Sequence, residues 1–408
     1  MEYKLTVTDK TGLADSPLEI DISTPIPFQE VCVKLNVSDY YCINAPLNCS
    51  TKTKWMSEAI FVTDNKGNIS VSKFPSIRGD YLGVNGMGLF ESLHYSKMIS
   101  SKRCLSLEDL PLYDYFNAEI SLWIKEKEVA ATTVKRYFKY PNIEYKNIVN
   151  ANWLGRIFYR NAEDKAPCII VLSGSDGGLE KSQNIAMLLA SRGYVSLAMS
   201  YFGMDGQTPY LDQIPLENIQ EALQILSENP HVDPDRIGIY GRSKGAEYAL
   251  ASISKFHEFK SAVLNAPSNQ VYEGLRGKMN SHHSSWTFKN QEVPYTKFSI
   301  LKLLQSKVLP QHPAKAPDSL IDVHDSGTNI LLIASTKDEV WDSKDSAIQI
   351  AKTIPAENCS IYFTTHLGHM NTISYQPNLR YGLKDLKSLH DEVKESWSKT
   401  ILHFNKTL

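Results

Sequence analysis

The 408-residue chain contains no apolar run near the ~18 residues that cross a bilayer, so no stable membrane insertion is expected. It has no excess of charge of one sign. Lys and Arg number 43 against 45 Asp and Glu, a formal net charge of -2. That balance removes the electrostatic case for nucleic acid or for an anionic surface. Cysteine is scarce and scattered. Cys32, Cys42, Cys49, Cys104, Cys168 and Cys359 form no C-x-x-C pair and have no histidine at metal-ligand spacing. Neither a metal centre nor a disulfide framework is expected, and Cys42 with Cys49 would pair only in an oxidising compartment. The first ten residues lack an apolar core and a small-residue cleavage site, and the last ones are not of the Ser-Lys-Leu type. The chain therefore reads as cytoplasmic. Its glycine-rich loop Ser173-Gly-Ser-Asp-Gly-Gly178 has neither G-x-G-x-x-G nor Walker A spacing, and no cofactor is expected.

What is present falls into two grammars. Residues 1–145 hold short β-rich runs separated by turns, among them Leu18–Ile22, Gln29–Val37, Glu58–Val62 and Asn68–Val71. Val31, Val33 and Leu35 share one face of a period-2 pattern, with Cys32, Lys34 and Asn36 on the other. Asn117–Lys125 and Lys127–Arg136 read as a hairpin. These features predict an all-β, immunoglobulin-like sandwich. Residues 146–408 alternate strands with helices, the pattern of a parallel sheet. Cys168–Leu172, Tyr194–Met199, Ser261–Asn265, Asn329–Ala334 and Cys359–Phe363 read as strands, and 386–403 as a closing amphipathic helix. Residues 267–328 interrupt this rhythm with a polar stretch rich in His, Lys and Pro, expected to be a cap-like insertion over the site. His282, His283 and Trp286 stand out there, each expected on a solvated loop.

The most informative stretch is Arg236–Leu250. An apolar run, Ile237 to Tyr240, leads into Gly241-Arg242-Ser243-Lys244-Gly245, and an Ala-rich helical segment follows. G-x-S-x-G alone arises by chance in a chain of this length with a probability on the order of 0.1. A strand before it and a helix after it are what make it a nucleophile elbow, with the serine at the apex of a sharp turn. A serine hydroxyl needs a base to take its proton, an acid to orient that base, and donors for the oxyanion. In an α/β-hydrolase the acid and then the histidine follow the serine in sequence, after later strands. The acid is expected at Asp338, past the strand ending at Ala334, with Glu339 and Asp342 as local rivals. The base is expected at His369, past the last strand, with His366 as its rival. The oxyanion donors are expected to be the backbone N–H of Lys244 and one from Gly174 or Ser175.

With these residues in hand, the chain resembles the acyl-CoA thioesterase / bile acid-CoA:amino acid N-acyltransferase family over essentially its whole length. Gly86-Met-Gly-Leu-Phe-Glu-Ser-Leu93 is similar to a segment of that family's N-terminal β-sandwich. Leu172–Glu180, Asp233–Gly238, Ser243-Lys-Gly-Ala-Glu247, Asp338 three residues before Trp341, and Gly368-His369 resemble its catalytic motifs. The resemblance implies a Ser243–His369–Asp338 triad acting on an acyl-CoA through an acyl-serine. Conjugating members of the family carry cysteine at the nucleophile position, so serine here favours hydrolysis. Transfer of the acyl group to an amino acid, a dienelactone-hydrolase-like carboxylesterase and a non-enzymatic binding protein are the alternatives. Arg242, Lys244 and Lys181 are candidates for the CoA phosphates. The sequence does not choose between monomer and dimer.

Overall fold

The computed structural model describes residues 2–277, 279–297, 316–379 and 386–408. The chain divides into two compact units that are interleaved in sequence. The first comprises Met1–Arg103, Pro111–Tyr140 and Thr372–Lys394; the second comprises Cys104–Leu110, Pro141–Asn371 and Glu395–Leu408.

The first unit opens with β1 (Lys4–Thr8), β2 (Glu19–Ser23), β3 (Glu30–Ser38) and β4 (Trp55–Val62). It continues with β5 (Asn68–Ser70), β6 (Arg78–Gly79), the short helix α1 (Gly88–Glu91), β7 (Tyr115–Ile124) and β8 (Lys127–Tyr137). These strands form two antiparallel sheets, ordered β1-β2-β5 and β6-β4-β3-β7-β8. In β3, Val31, Val33, Leu35 and Val37 are buried, while the residues between them are partly or fully exposed. A pleated strand puts successive side chains on opposite faces, so this alternation gives one face to the core. The same unit takes in the segment from Thr372 onward. Asn44 accepts from Thr372 Oγ1 at 2.8 Å and donates to the Pro377 carbonyl at 3.0 Å, and Gln376 accepts from the Ile43 amide at 2.9 Å.

The second unit begins with β9 (Ile143–Val149), β10 (Leu154–Arg160), β11 (Ala166–Leu172), α2 (Glu180–Ala190) and β12 (Val195–Ser200). Next come β13 (Ile214–Pro215), α3 (Glu217–Ser227), β14 (Val232–Arg242), α4 (Lys244–Ile253) and β15 (Phe259–Asn265). Short strands β16 (Glu273–Arg276), β17 (Met279–Ser284), β18 (Trp286–Phe288) and β19 (Gln291–Glu292) occupy the expected insertion. Part of that insertion, 298–315, lies outside the described residues. The unit ends with β20 (Asn329–Ser335), α5 (Ser343–Thr353), β21 (Cys359–Thr364) and α6 (Leu386–Thr407), whose first turns belong to the other unit.

Eight of these strands make one sheet in the order β21-β20-β15-β14-β11-β12-β10-β9. Six run parallel, and β10 pairs antiparallel with both β12 and β9. This is an α/β-hydrolase sheet. Its central strands are covered on both faces, and Cys168 to Leu172 and Val195 to Ser200 are buried without alternation. In such sheets, ligands meet the carboxyl ends of the strands. β14, β20 and β21 end there at Arg242, Ser335 and Thr364. No helix among the described residues is long and apolar enough to cross a membrane.

Candidate active site

Ser243 sits between β14 and α4 with φ 55° and ψ −124°, a conformation that side-chain-bearing residues rarely adopt. Strain of this kind is kept where the surroundings over-determine it. Two glycines supply the room. A methyl on Gly241 would lie 2.3 Å from the Gly245 carbonyl oxygen, and one on Gly245 would lie 2.2 Å from that of Ser173. The Ser243 amide donates to the Asn265 carbonyl at 2.9 Å, which ties the turn to the end of β15.

His369 follows β21 in a buried loop. Its Nε2 lies 2.7 Å from Ser243 Oγ, and its Nδ1 lies 2.9 and 3.0 Å from the two Asp338 oxygens. Each distance is that of a good hydrogen bond. Asp338 stands just past β20, where the amides of Val340 and Trp341 donate to its Oδ1 at 2.9 and 3.2 Å. Burial works to raise this carboxyl. The His369 ring and hydrogen bonds from Ser343 and Val340 outweigh it and hold the group below its ordinary value.

The rivals named from sequence are employed elsewhere. Glu339 accepts from the His369 backbone amide at 2.8 Å and thereby anchors the loop. Asp342 caps α5 by accepting from Asp345 N at 2.9 Å. His366 is exposed and lies 3.1 Å from Thr365 Oγ1.

Gly174 is backed against the elbow, where a methyl would come within 3.2 Å of Ser243 Cβ. Ser175 is the next residue along, exposed on the loop. Among the described residues no acceptor meets the amides of Gly174 or Ser175. Tyr201 steadies this loop from below, its hydroxyl donating to the Ser173 carbonyl at 2.7 Å.

Three expectations are corrected. Trp286 is fully buried instead of solvated, its ring stacked at 4.5 Å on Tyr248 and its Nε1 donating to Glu247 Oε1 at 2.8 Å. His282 is largely exposed and His283 partly so, as expected, but both lie on strand β17 and not on a loop. Lys244 does not offer its ammonium to a ligand. It is buried and pairs with Glu247 Oε1 at 2.7 Å. Burial pulls the ammonium below its ordinary value and pushes the Glu247 carboxyl above its own, while the pairing opposes both shifts. Arg242 and Lys181 are also buried and share Asp176 Oδ2, at 3.1 and 3.0 Å. In the sequence, Lys244 and Glu247 stand out only as part of a motif. A lysine and a glutamate three apart on a helix usually mark a solvated face. The signal that this face is internal is the Ala-rich, uncharged remainder of the helix.

Residues 15–150 match the family described as the acyl-CoA thioester hydrolase/BAAT N-terminal region, and residues 214–389 match BAAT / acyl-CoA thioester hydrolase C terminal. The acyl-coenzyme A amino acid N-acyltransferase 1 of Mus musculus is 32% identical over 260 residues, 62% of this chain and 58% of that protein. The bile acid-CoA:amino acid N-acyltransferase of Homo sapiens is 24% identical over 392 residues, covering 92% of this chain and 88% of its own. The acyl-coenzyme A thioesterase 1 of Rattus norvegicus is 24% identical over 381 residues, with 90% and 85% covered. The chain spans 58% to 64% of the length of the three mouse N-acyltransferases it matches. Among solved structures, a putative dienelactone hydrolase from Klebsiella pneumoniae aligns with a TM-score of 0.43 at 15% identity, covering 64% of this chain and 98% of that one.

Proposed function

The chain belongs to the acyl-CoA thioester hydrolase/BAAT family, and on that premise we propose that it is a serine thioesterase cleaving acyl-CoA to a free acid and CoA. The observation that carries this reading is the 2.7 Å approach of Ser243 Oγ to His369 Nε2, with Asp338 behind the ring. His369 Nε2 takes the Ser243 proton as Oγ attacks the thioester carbonyl carbon. Asp338, ionised, holds the proton on Nδ1 and balances the imidazolium. The oxyanion is met by the amide of Lys244 at the head of α4 and by one from Gly174 or Ser175. Collapse of the tetrahedral intermediate breaks the C–S bond, and the sulfur leaves with the proton from Nε2. A water that gives its proton to the same nitrogen then attacks the acyl-serine, releases the acid and returns the proton to Oγ.

A second reading is transfer of the acyl group to an amine. It is favoured by the mouse relative named as an amino acid N-acyltransferase. One experiment separates the two. Free thiol is measured from a panel of acyl-CoAs, with and without amino acids, for the wild type and Ser243→Ala. Thioesterase activity predicts thiol and free acid from the wild type alone, and a loss in the variant on the order of 10⁶-fold in kcat. Acyl-amine as the main product selects transfer instead, and equal thiol release by both proteins overturns the nucleophile.

A further inference from the structure

One carboxylate close to Ser243 plays no part in the steps just described. Glu247 is fully buried in the first turns of α4. Its Oε1 accepts three hydrogen bonds, from Lys244 Nζ at 2.7 Å, Trp286 Nε1 at 2.8 Å and the Tyr272 amide at 3.0 Å. Among the described residues its buried Oε2 has no hydrogen-bond partner. Holding a carboxylate this way costs free energy of desolvation that one satisfied oxygen does not fully offset. A helix that needed only packing would be better served by an apolar side chain of similar volume.

The two partners other than Lys244 each lead into a separate row of aromatic contacts. Trp286 meets Tyr201 edge to face at 6.0 Å, and Tyr201 is the residue whose hydroxyl holds the Ser173 carbonyl beside Gly174. Tyr272 stacks on Trp341 at 5.5 Å with an interplanar angle of 14°. Trp341 in turn stands perpendicular to the His369 ring, 4.9 Å away, and its Nε1 donates to the Ala266 carbonyl. Oε1 is thus the common origin of two rows of aromatic contacts, one ending at the loop expected to hold the oxyanion and one at the base.

We propose that Glu247 is a positioning residue: by fixing the Tyr272 amide and the Trp286 indole with one oxygen, it sets the Ser173–Gly174 loop and the wall against His369 to a common geometry around Ser243. The proposal rests on the reading of Ser243 as nucleophile. A positioning role of this kind acts on kcat and on the intrinsic reactivity of the serine, and leaves substrate affinity nearly alone.

The test compares Glu247→Gln, Glu247→Met and Trp286→Phe with the wild type. Gln keeps an acceptor at Oε1; Met keeps the volume without one; Phe removes the indole donor and leaves the Lys244–Glu247 pair in place. Two quantities are read: the rate at which a fluorophosphonate labels Ser243, and kcat and KM for thiol release. Glu247→Met is expected to lower kcat and the labelling rate together by roughly 10²-fold with KM within about threefold. Glu247→Gln is expected to lose clearly less than Met, and Trp286→Phe about tenfold in both quantities. Labelling within twofold of wild type in a folded Met variant overturns the proposal, as do equal losses in Gln and Met or a loss confined to KM. If the Met variant does not fold, Trp286→Phe decides alone, and wild-type labelling by that protein counts against the proposal. A wild-type Ser243 that resists the probe overturns the nucleophile reading, and this proposal falls with it. Labelling without thiol release faults only the choice of thioester.

Discussion

Asp338 meets the base with both oxygens at once, 2.9 and 3.0 Å from His369 Nδ1, and is itself held by two backbone amides. That arrangement fixes which ring nitrogen carries the proton. An asparagine presenting its N–H to Nδ1 would move the proton to Nε2, so that the ring faces Ser243 Oγ as a donor and cannot accept. Asp338→Asn is therefore expected to lower kcat by about 10³ to 10⁴-fold with little change in KM, read by steady-state thiol release. A fall below tenfold would remove Asp338 from the proposed triad. Glu339 is no substitute, because its carboxylate is engaged by the backbone of His369 and not by its ring.

At the scale of elements, the short helix α1 carries a buried acid. Burial pushes the Glu91 carboxyl up to about 7, although the 2.7 Å hydrogen bond from Asn85 to Oε2 works the other way. Between its ordinary value of 4.5 and about 7, the folded chain holds a proton that the unfolded chain has released. Its contribution to stability is thus complete at low pH and is lost as pH rises through about 7. Glu91→Gln, which is neutral throughout, is expected to gain on the wild type by up to roughly 3 kcal/mol more at pH 8 than at pH 5. Urea unfolding of both proteins at the two pH values measures it. Other elements differ in how far local sequence foretells them. The central strands were legible because a strand covered on both faces must be apolar, as Cys168 to Leu172 is. β3 was legible from alternation. The separation of Asp338 and His369 from the ends of β20 and β21 was likewise open to reading, since each follows an apolar run directly. Trp286 was not, because it lies among polar residues and owes its burial to Tyr248 and Glu247. For Glu247 the Ala-rich remainder of α4 is the signal, set against a Lys–Glu spacing that usually marks a solvated face. Strands β9 and β10 also escaped, since neither has a continuous apolar run to mark it.

For the whole molecule, the interleaving of the two units matters more than the position of any one cut. Residues 372–394 belong with the N-terminal strands, and Ile373, Tyr375, Leu389 and Val393 are buried there. A fragment ending at residue 145 would leave its Asn44 and Ile43 partners unmet. It is expected to bind a hydrophobic dye and to melt without a cooperative transition. The same fragment joined by a linker to 372–394 should melt cooperatively, and calorimetry distinguishes the two. A fragment 1–145 that melts sharply unaided would show that the added segment is dispensable. The interleaving also orders events at the ribosome. Chains emerge at roughly 5 to 20 residues per second, and more than two hundred residues separate Tyr140 from Thr372. The N-terminal strands therefore wait tens of seconds for the segment that completes them, and they need shielding until residues 372–394 have been made.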